Sequence, residues 1–220
     1  LIFCTIFIFI PAFWAIVGSF YSYGMTSLND WKWVGFDNYI KASQDEFFWI
    51  ALKNNLIIVF ASIVLQVGVG TILAAILDRG IKYGKVIFRT IIFTPMVISS
   101  VAVSIIWLLI YDPNFGILNS ILKTIGLPTP SMGWLGDPDI SIWMIMIVAG
   151  WQNTGFMMVL ILAGLQGVSK EVYDAAEIDG ATGVKAFWYI TLPMIRNILI
   201  VAILITTIGA FKVFEFVYVL

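Results

Sequence analysis

The sequence predicts an all-α protein, a polytopic bundle of membrane helices, and three observations carry that prediction. Of its 220 residues 61% are hydrophobic and only 11% are charged, whereas a soluble domain carries roughly a quarter of charged residues. The mean hydropathy is correspondingly high, at +1.00. The apolar residues gather in five runs, 1–21, 52–77, 86–111, 140–165 and 198–220. Each is long enough for a hydrocarbon core of about 30 Å, which takes about 20 helical residues. Within a run such as LIIVFASIVLQVGVG from Leu56 the apolar character is nearly continuous, whereas a barrel strand would alternate. A helix satisfies its own backbone in lipid, so helices are expected.

The same composition excludes several classes of function. A net charge of −1, from 12 Lys and Arg against 13 Asp and Glu, leaves no basic field for a nucleic acid. There is no histidine, and the single cysteine, Cys4, lies in an apolar run. Neither a metal centre nor an internal disulfide is expected, and no catalytic residue is assigned. Cys4 reads as a small buried hydrophobe.

Taken in order, the first run (1–21) reads as a membrane helix, because no small-residue cleavage site follows an apolar core of signal-peptide length. The connections then set the orientation. Arg79, Lys82, Lys85 and Arg89 lie in or flank the second, and Lys170, Lys185 and Arg196 lie in the fourth. The first holds Lys32 and Lys41 and the third only Lys123. Positive charge marks the cytoplasmic side, so the second and fourth connections are expected there. Trp31, Trp33, Trp49, Tyr111, Trp134, Trp188 and Tyr189 cluster near the run ends, as interfacial anchors do.

The runs from 52 onward contain few polar residues, and Gln66, Gln152, Asn153 and Thr154 are the candidates for lining a wet path. The competing reading is that they hydrogen-bond between helices. Gly68, Gly70 and Pro95 read as packing and kink positions. Lys212 and Glu215, three apart in the last run, read as a structural ion pair.

The fourth connection, 166–197, is long for a link between membrane helices, and its composition argues for structure. Ser169 suits an N-cap, Glu171 the first turn, and Gly180 the residue beyond a helix end that must take positive φ. Val172, Ala175 and Ala176 fall at i, i+3 and i+4, a small apolar face beside Asp174, Glu177 and Asp179 that suits a partner's groove. A second helical stretch can start near Thr182 and run through Ile190, with Pro193 in the first turn of the last membrane helix.

Within this loop YDAAEIDGATGVKAFWYITLP, from Tyr173 to Pro193, resembles the loop signature of permease subunits of binding-protein-dependent ABC importers. That signature reads E-A-A, three residues, G, nine residues, I-x-L-P. Ala175, Ala176, Gly180, Ile190, Leu192 and Pro193 match it, while Asp174 stands where the family usually has Glu. Short stretches elsewhere, VGFDNY at Val34, FRTIIFTP at Phe88, NFGILNSIL at Asn114, WLGDPD at Trp134 and FKVFEFVYVL at Phe211, resemble the carbohydrate-uptake, maltose-type branch.

The resemblance implies a type I ABC importer transmembrane domain over 1–220. Its first membrane helix would be 1–21 and its permease core 52–220, with the coupling loop at 166–197. Asp174, Ala175, Ala176, Glu177, Asp179, Gly180, Ile190, Leu192 and Pro193 would form the ATPase-coupling element. The implied partners are ATP-binding cassette subunits, a second homologous permease, an extracytoplasmic solute-binding protein and the lipid bilayer of a bacterial or archaeal cytoplasmic membrane. The family places a further helix beyond Leu220, so a C-terminally incomplete chain is expected.

No stretch matches the ATP-binding loop. In the nearest approach, Gly80 to Lys85, only three residues separate the glycines and Val86 replaces the Ser or Thr that would hold magnesium. ATP and magnesium are therefore expected on a partner subunit, with no cofactor bound by this chain. The function expected is that of a sugar-importer permease without enzymatic activity. The alternative is a stand-alone secondary transporter or channel, which would need an intramembrane charge for coupling or a selectivity constriction.

Overall fold

A computed structural model describes residues 2–24, 27–81 and 83–220, and divides them into two compact units, Leu1–Asn54 and Asn55–Leu220. Leu1 of the first apolar run and Lys82 of the second connection lie outside the described residues.

The first unit opens with α1 (Ile2–Gly18), apolar but shorter than the other candidate spans. An antiparallel hairpin follows, β1 (Tyr21–Gly24) and β2 (Ser27–Trp33), with Tyr21 opposite Trp33 and Ser22 opposite Lys32. This hairpin is an addition to the all-α expectation. It follows from Tyr and Trp in polar alternation (WKW), a pattern that suits strands. Next comes α2 (Asp37–Gln44), whose Asn38 side-chain amide donates to the carbonyls of Ser19 (2.8 Å) and Tyr21 (3.0 Å) and fixes the hairpin on the end of α1.

In the second unit three helices are long and apolar enough to cross a membrane: α3 (Glu46–Gly80), which begins in the first unit, α7 (Ser141–Leu165) and α10 (Arg196–Val219). The run 86–111 is not one straight span. It forms α4 (Lys85–Val97) and α5 (Ser100–Tyr111), bent by 98° at Ile98 and Ser99. Pro95 starts the departure from α-helix, since it has no N–H to continue the ladder. Backbone opened at membrane depth must find a partner inside the protein. Here the Gln152 side-chain amide donates to the freed Ile98 carbonyl at 2.7 Å.

The short helix α6 (Ile117–Thr124) stands in the third connection. Its Asn119 donates to the Pro113 carbonyl (2.9 Å) and accepts from the Trp134 indole (2.7 Å), which closes that loop on itself.

The buried centre of the unit is α7. Its residues Met157, Met158, Ile161, Leu162 and Leu165 pack with Val67, Ala74 and Leu77 of α3 and Ala202 of α10 in one cluster. Met146, Val148 and Ala149 pack with Ile58, Ala61, Val103, Tyr111, Ala210 and Phe216 in a second. Close approach depends on glycine. A Cβ at Gly70 would stand 3.1 Å from Met157 Cβ, and one at Gly150 would stand 3.1 Å from Leu65 Cβ. With no water-driven force between helices in lipid, such backbone proximity is what holds a bundle together.

Candidate functional site

Two features of the second unit carry functional chemistry. The first is a cavity of about 290 Å³ between α3, α5, α7 and α10. Ser62 and Gln66 of α3, Ser100 of α5, Asn153 of α7, and Lys212 and Glu215 of α10 bring polar groups to it. Gln66 sits in a stretch of α3, Ile63–Gly68, that is wound as a π-helix, a local widening often found where a side chain must be presented. Thr206 also lines the cavity. It is 3% exposed, and its hydroxyl is buried without a hydrogen-bond partner.

Of the four path candidates, the structure brings Gln66 and Asn153 to this cavity. The Asn153 amide donates back to the Ala149 carbonyl (2.8 Å), which leaves its side-chain oxygen for another partner. Gln152 and Thr154 point elsewhere. Gln152 holds the bend between α4 and α5, and the Thr154 hydroxyl bonds the Gly150 carbonyl (2.6 Å) and reaches the Leu65 carbonyl (3.2 Å), so both work between helices. Trp151 and Thr154 instead line a separate, mostly apolar cleft of about 380 Å³.

Sequence reasoning missed Thr206 and the role of Lys212 with Glu215. A hydroxyl pair, Thr206 and Thr207, inside an apolar run was the available signal for the first. The expected ion pair between Lys212 and Glu215 is not among those of the described residues, which are Arg79 with Asp78 and Lys170 with Asp174. A spacing of three gives neighbours only on a continuous helix, and α10 opens into a turn between Ala210 and Phe214. Both residues stand at the cavity's edge instead and remain exposed.

The second feature is the fourth connection. It contains α8 (Lys170–Ile178), then α9 (Gly183–Ala186) continuing through a wide turn, Phe187–Thr191, and a short turn, Leu192–Met194. Ser169 takes the extended N-cap conformation. The Glu171 backbone N–H, and after it the Ser169 hydroxyl, hold the Glu171 carboxyl below the ordinary carboxylate range. That small stabilisation of the helix start is therefore present at neutral pH and is lost as the pH falls through the lowered value.

The far end of α8 closes as the sequence predicts. Gly180 has φ +76°, the Gly180 N–H donates to the Glu177 carbonyl (3.0 Å), and the Ala181 N–H donates to the Ala176 carbonyl (2.8 Å). That is the Schellman pattern. Pro193 stands in the short turn, and α10 proper begins only after Ile195, which is buried. Ile190 and Leu192 are half-buried.

The outward face of α8 differs from the expected one. Ala176 and Tyr173 turn inward and are buried, while Asp174, Ala175, Glu177 and Ile178 face out. Ile178 is 87% exposed and Val184, just beyond Gly183, is 74% exposed. Small-residue spacing alone identified a face but did not say that Ala176 would be covered by the chain's own helices rather than by a partner. Asp179 and Gly180 are exposed at the tip.

Residues 66–220, which contain both the cavity and this loop, match the family model of the binding-protein-dependent transport system inner membrane component. The chain belongs to this family. The permease is 35% identical to the probable ABC transporter permease protein YurN of Bacillus subtilis, over 98% of this chain and 74% of that protein. It is 34% identical to the trehalose/maltose transport system permease protein MalF of Thermococcus litoralis, over 89% of this chain and 65% of that protein. Among solved structures, a bacterial alginate ABC transporter in complex with an alginate pentasaccharide-bound periplasmic protein matches with a TM-score of 0.78 at 25% identity. The match covers 93% of this chain and 67% of that one. The permease is accordingly a membrane-spanning subunit of an ABC importer, and nothing in these likenesses supports a stand-alone transporter or channel.

Proposed function

We propose that this permease forms half of the translocation path for a sugar or sugar-like solute, and that α8 couples the path to a separate ATPase subunit. The observation that carries the solute reading is the cavity: Gln66, Asn153, Thr206, Lys212 and Glu215 offer donors and acceptors at one place among apolar helices. Polar groups there are costly unless they serve a partner, and a polyhydroxyl solute both donates and accepts. The solutes for which these relatives are named, trehalose or maltose and alginate, support the class. ATP and magnesium belong to the ATPase subunit. A second permease completes the path, and an extracytoplasmic binding protein delivers the solute across the outer face of a bacterial or archaeal cytoplasmic membrane.

The test is uptake by the complex reconstituted in vesicles with its ATPase and binding protein, using labelled mono- and oligosaccharides against amino acids. The permease alone is expected to hydrolyse no ATP. Gln66→Leu and Asn153→Leu are each expected to lower sugar uptake about tenfold or more, equivalent to about 1.4 kcal/mol in the transport step, while the ATPase subunit stays bound. Amino-acid uptake without sugar uptake would overturn the solute class, and unimpaired uptake by both variants would remove the cavity from the path.

Sidedness is tested independently. With Cys4 replaced, a membrane-impermeant thiol reagent is expected to label cysteines at positions 45 and 123 in intact cells, and one at position 185 only after permeabilisation. The reverse pattern would invert the topology. One contact already joins the two lysine- and arginine-rich connections at a common end: Arg79 of the second stacks on Tyr173 of the fourth.

A further inference from the structure

We propose that Tyr173, clamped by Arg79, is the joint through which movement of α8 reaches both walls of the cavity. It is a positioning residue, and the proposal rests on the reading of α8 as the coupling helix. Three elements meet on this one side chain. Tyr173 belongs to α8 and is only 7% exposed. The guanidinium carbon of Arg79, in the last turn of α3, lies 3.0 Å from the centre of its ring. Its hydroxyl lies 3.4 Å from the Thr191 hydroxyl, in the wide turn that leads into α10.

The two elements tied to the ring are the ones that carry the cavity. On α3, Gln66 stands 13 residues before Arg79, a separation of about 20 Å along a helix. On the other side, Thr191 precedes α10, which brings Thr206, Lys212 and Glu215 to the cavity. A displacement of α8 is therefore handed to both walls by a planar ring held on one face by a cation and at its edge by a hydroxyl. Arg suits the first contact because its flat, weakly hydrated guanidinium stacks on an aromatic face. Arg79 remains half exposed, with its Nε 3.5 Å from Asp78. It covers the ring from the aqueous side and is itself not locked into the core. Rigid packed elements transmit a two-state motion where a soft contact would absorb it.

The experiment uses the assembled complex with four variants, Tyr173→Phe, Tyr173→Leu, Arg79→Lys and Arg79→Gln. Solute moved per ATP hydrolysed, ATPase subunit retained, and the distance between spin labels at positions 83 and 170 (with Cys4 replaced) are measured for each. Tyr173→Leu and Arg79→Gln are expected to keep the ATPase subunit within twofold of wild type but to lower solute per ATP at least fivefold. They should also broaden the label distance, which in wild type stays narrow with and without nucleotide. Tyr173→Phe keeps the ring and its Arg79 contact but loses the tie to Thr191, so it is expected to fall about two- to threefold, between wild type and Tyr173→Leu. Arg79→Lys keeps a cation and should recover part of the loss seen in Arg79→Gln. Unchanged solute per ATP and unchanged label distance in both Tyr173→Leu and Arg79→Gln would overturn the joint, as would full loss in Tyr173→Phe beside full activity in Arg79→Gln. Failure of the coupling-helix reading has a different signature: Ile178→Asp would then leave the ATPase subunit bound, while the label distances would still report the clamp.

Discussion

Replacing Gly155 by alanine is expected to be among the most damaging single-methyl changes in this permease. A Cβ there would overlap the Ile92 carbonyl oxygen and would lie 2.8 Å from both the Ile92 carbonyl carbon and Phe93 Cα. All three are backbone atoms of α4, so no side chain can rotate away. Two effects compete. Alanine is the better helix former by about 0.5–1 kcal/mol, whereas forcing a methyl into a filled contact costs about 1–3 kcal/mol or more. Here the second wins, because α4 must shift as a body, and with it the bend that Gln152 secures. A chain of this size loses about 2–4 °C of Tm per kcal/mol, so a fall of several degrees in detergent is expected, with uptake reduced to background. Gly209→Ala is the control: nothing lies within 4 Å of its Cβ position, and it should be neutral or slightly stabilising. Equal melting temperatures for Gly155→Ala and wild type would show that α4 and α7 do not meet at this position.

The second large effect is expected at the tip of α8. Burying an isoleucine in a partner groove contributes about 1.5–3 kcal/mol, and Ile178, at 87% exposed, has that whole surface to bury. Ile178→Asp forfeits it and adds the desolvation of a charge. A weakening of the ATPase subunit's hold by on the order of 3 kcal/mol, or about a hundredfold, is expected. Gly180→Ala should act differently. Nothing lies within 4 Å of its Cβ position, so the cost is the left-handed backbone alone, on the order of 1 kcal/mol. It changes the angle between α8 and α9, and uptake should fall further than retention does. Asp174→Lys should weaken docking by charge reversal, whereas Asp174→Glu should be nearly neutral. Pull-down of the ATPase subunit alongside uptake separates these outcomes. Full retention and normal uptake in both Ile178→Asp and Gly180→Ala would mean that α8 docks nothing.

The parts of this protein that were legible from its residues are those governed by local or summed properties. Composition placed the chain in a membrane, since 61% hydrophobic residues cannot be buried in a domain of 220. Run length marked the spans that became α3, α7 and α10, and charge asymmetry paired the second and fourth connections, which the Arg79 and Tyr173 contact brings together. The end of α8 was readable because a Schellman turn needs only one residue of positive φ, and Gly180 supplies it.

What only the tertiary structure decided is which way each side chain faces. In a soluble helix the apolar stripe marks the buried face, but where lipid and core are equally apolar the stripe disappears. Nothing local then distinguishes Asn153, which reaches the cavity, from its neighbour Gln152, which is committed to a carbonyl 54 residues away. The 98° bend, the opening of α10 that leaves Lys212 and Glu215 at the cavity's edge, and the inward turn of Tyr173 and Ala176 have the same origin. Each depends on a partner far along the chain, because in a medium without water a polar group or an opened backbone must be satisfied by whatever the packed bundle brings to it.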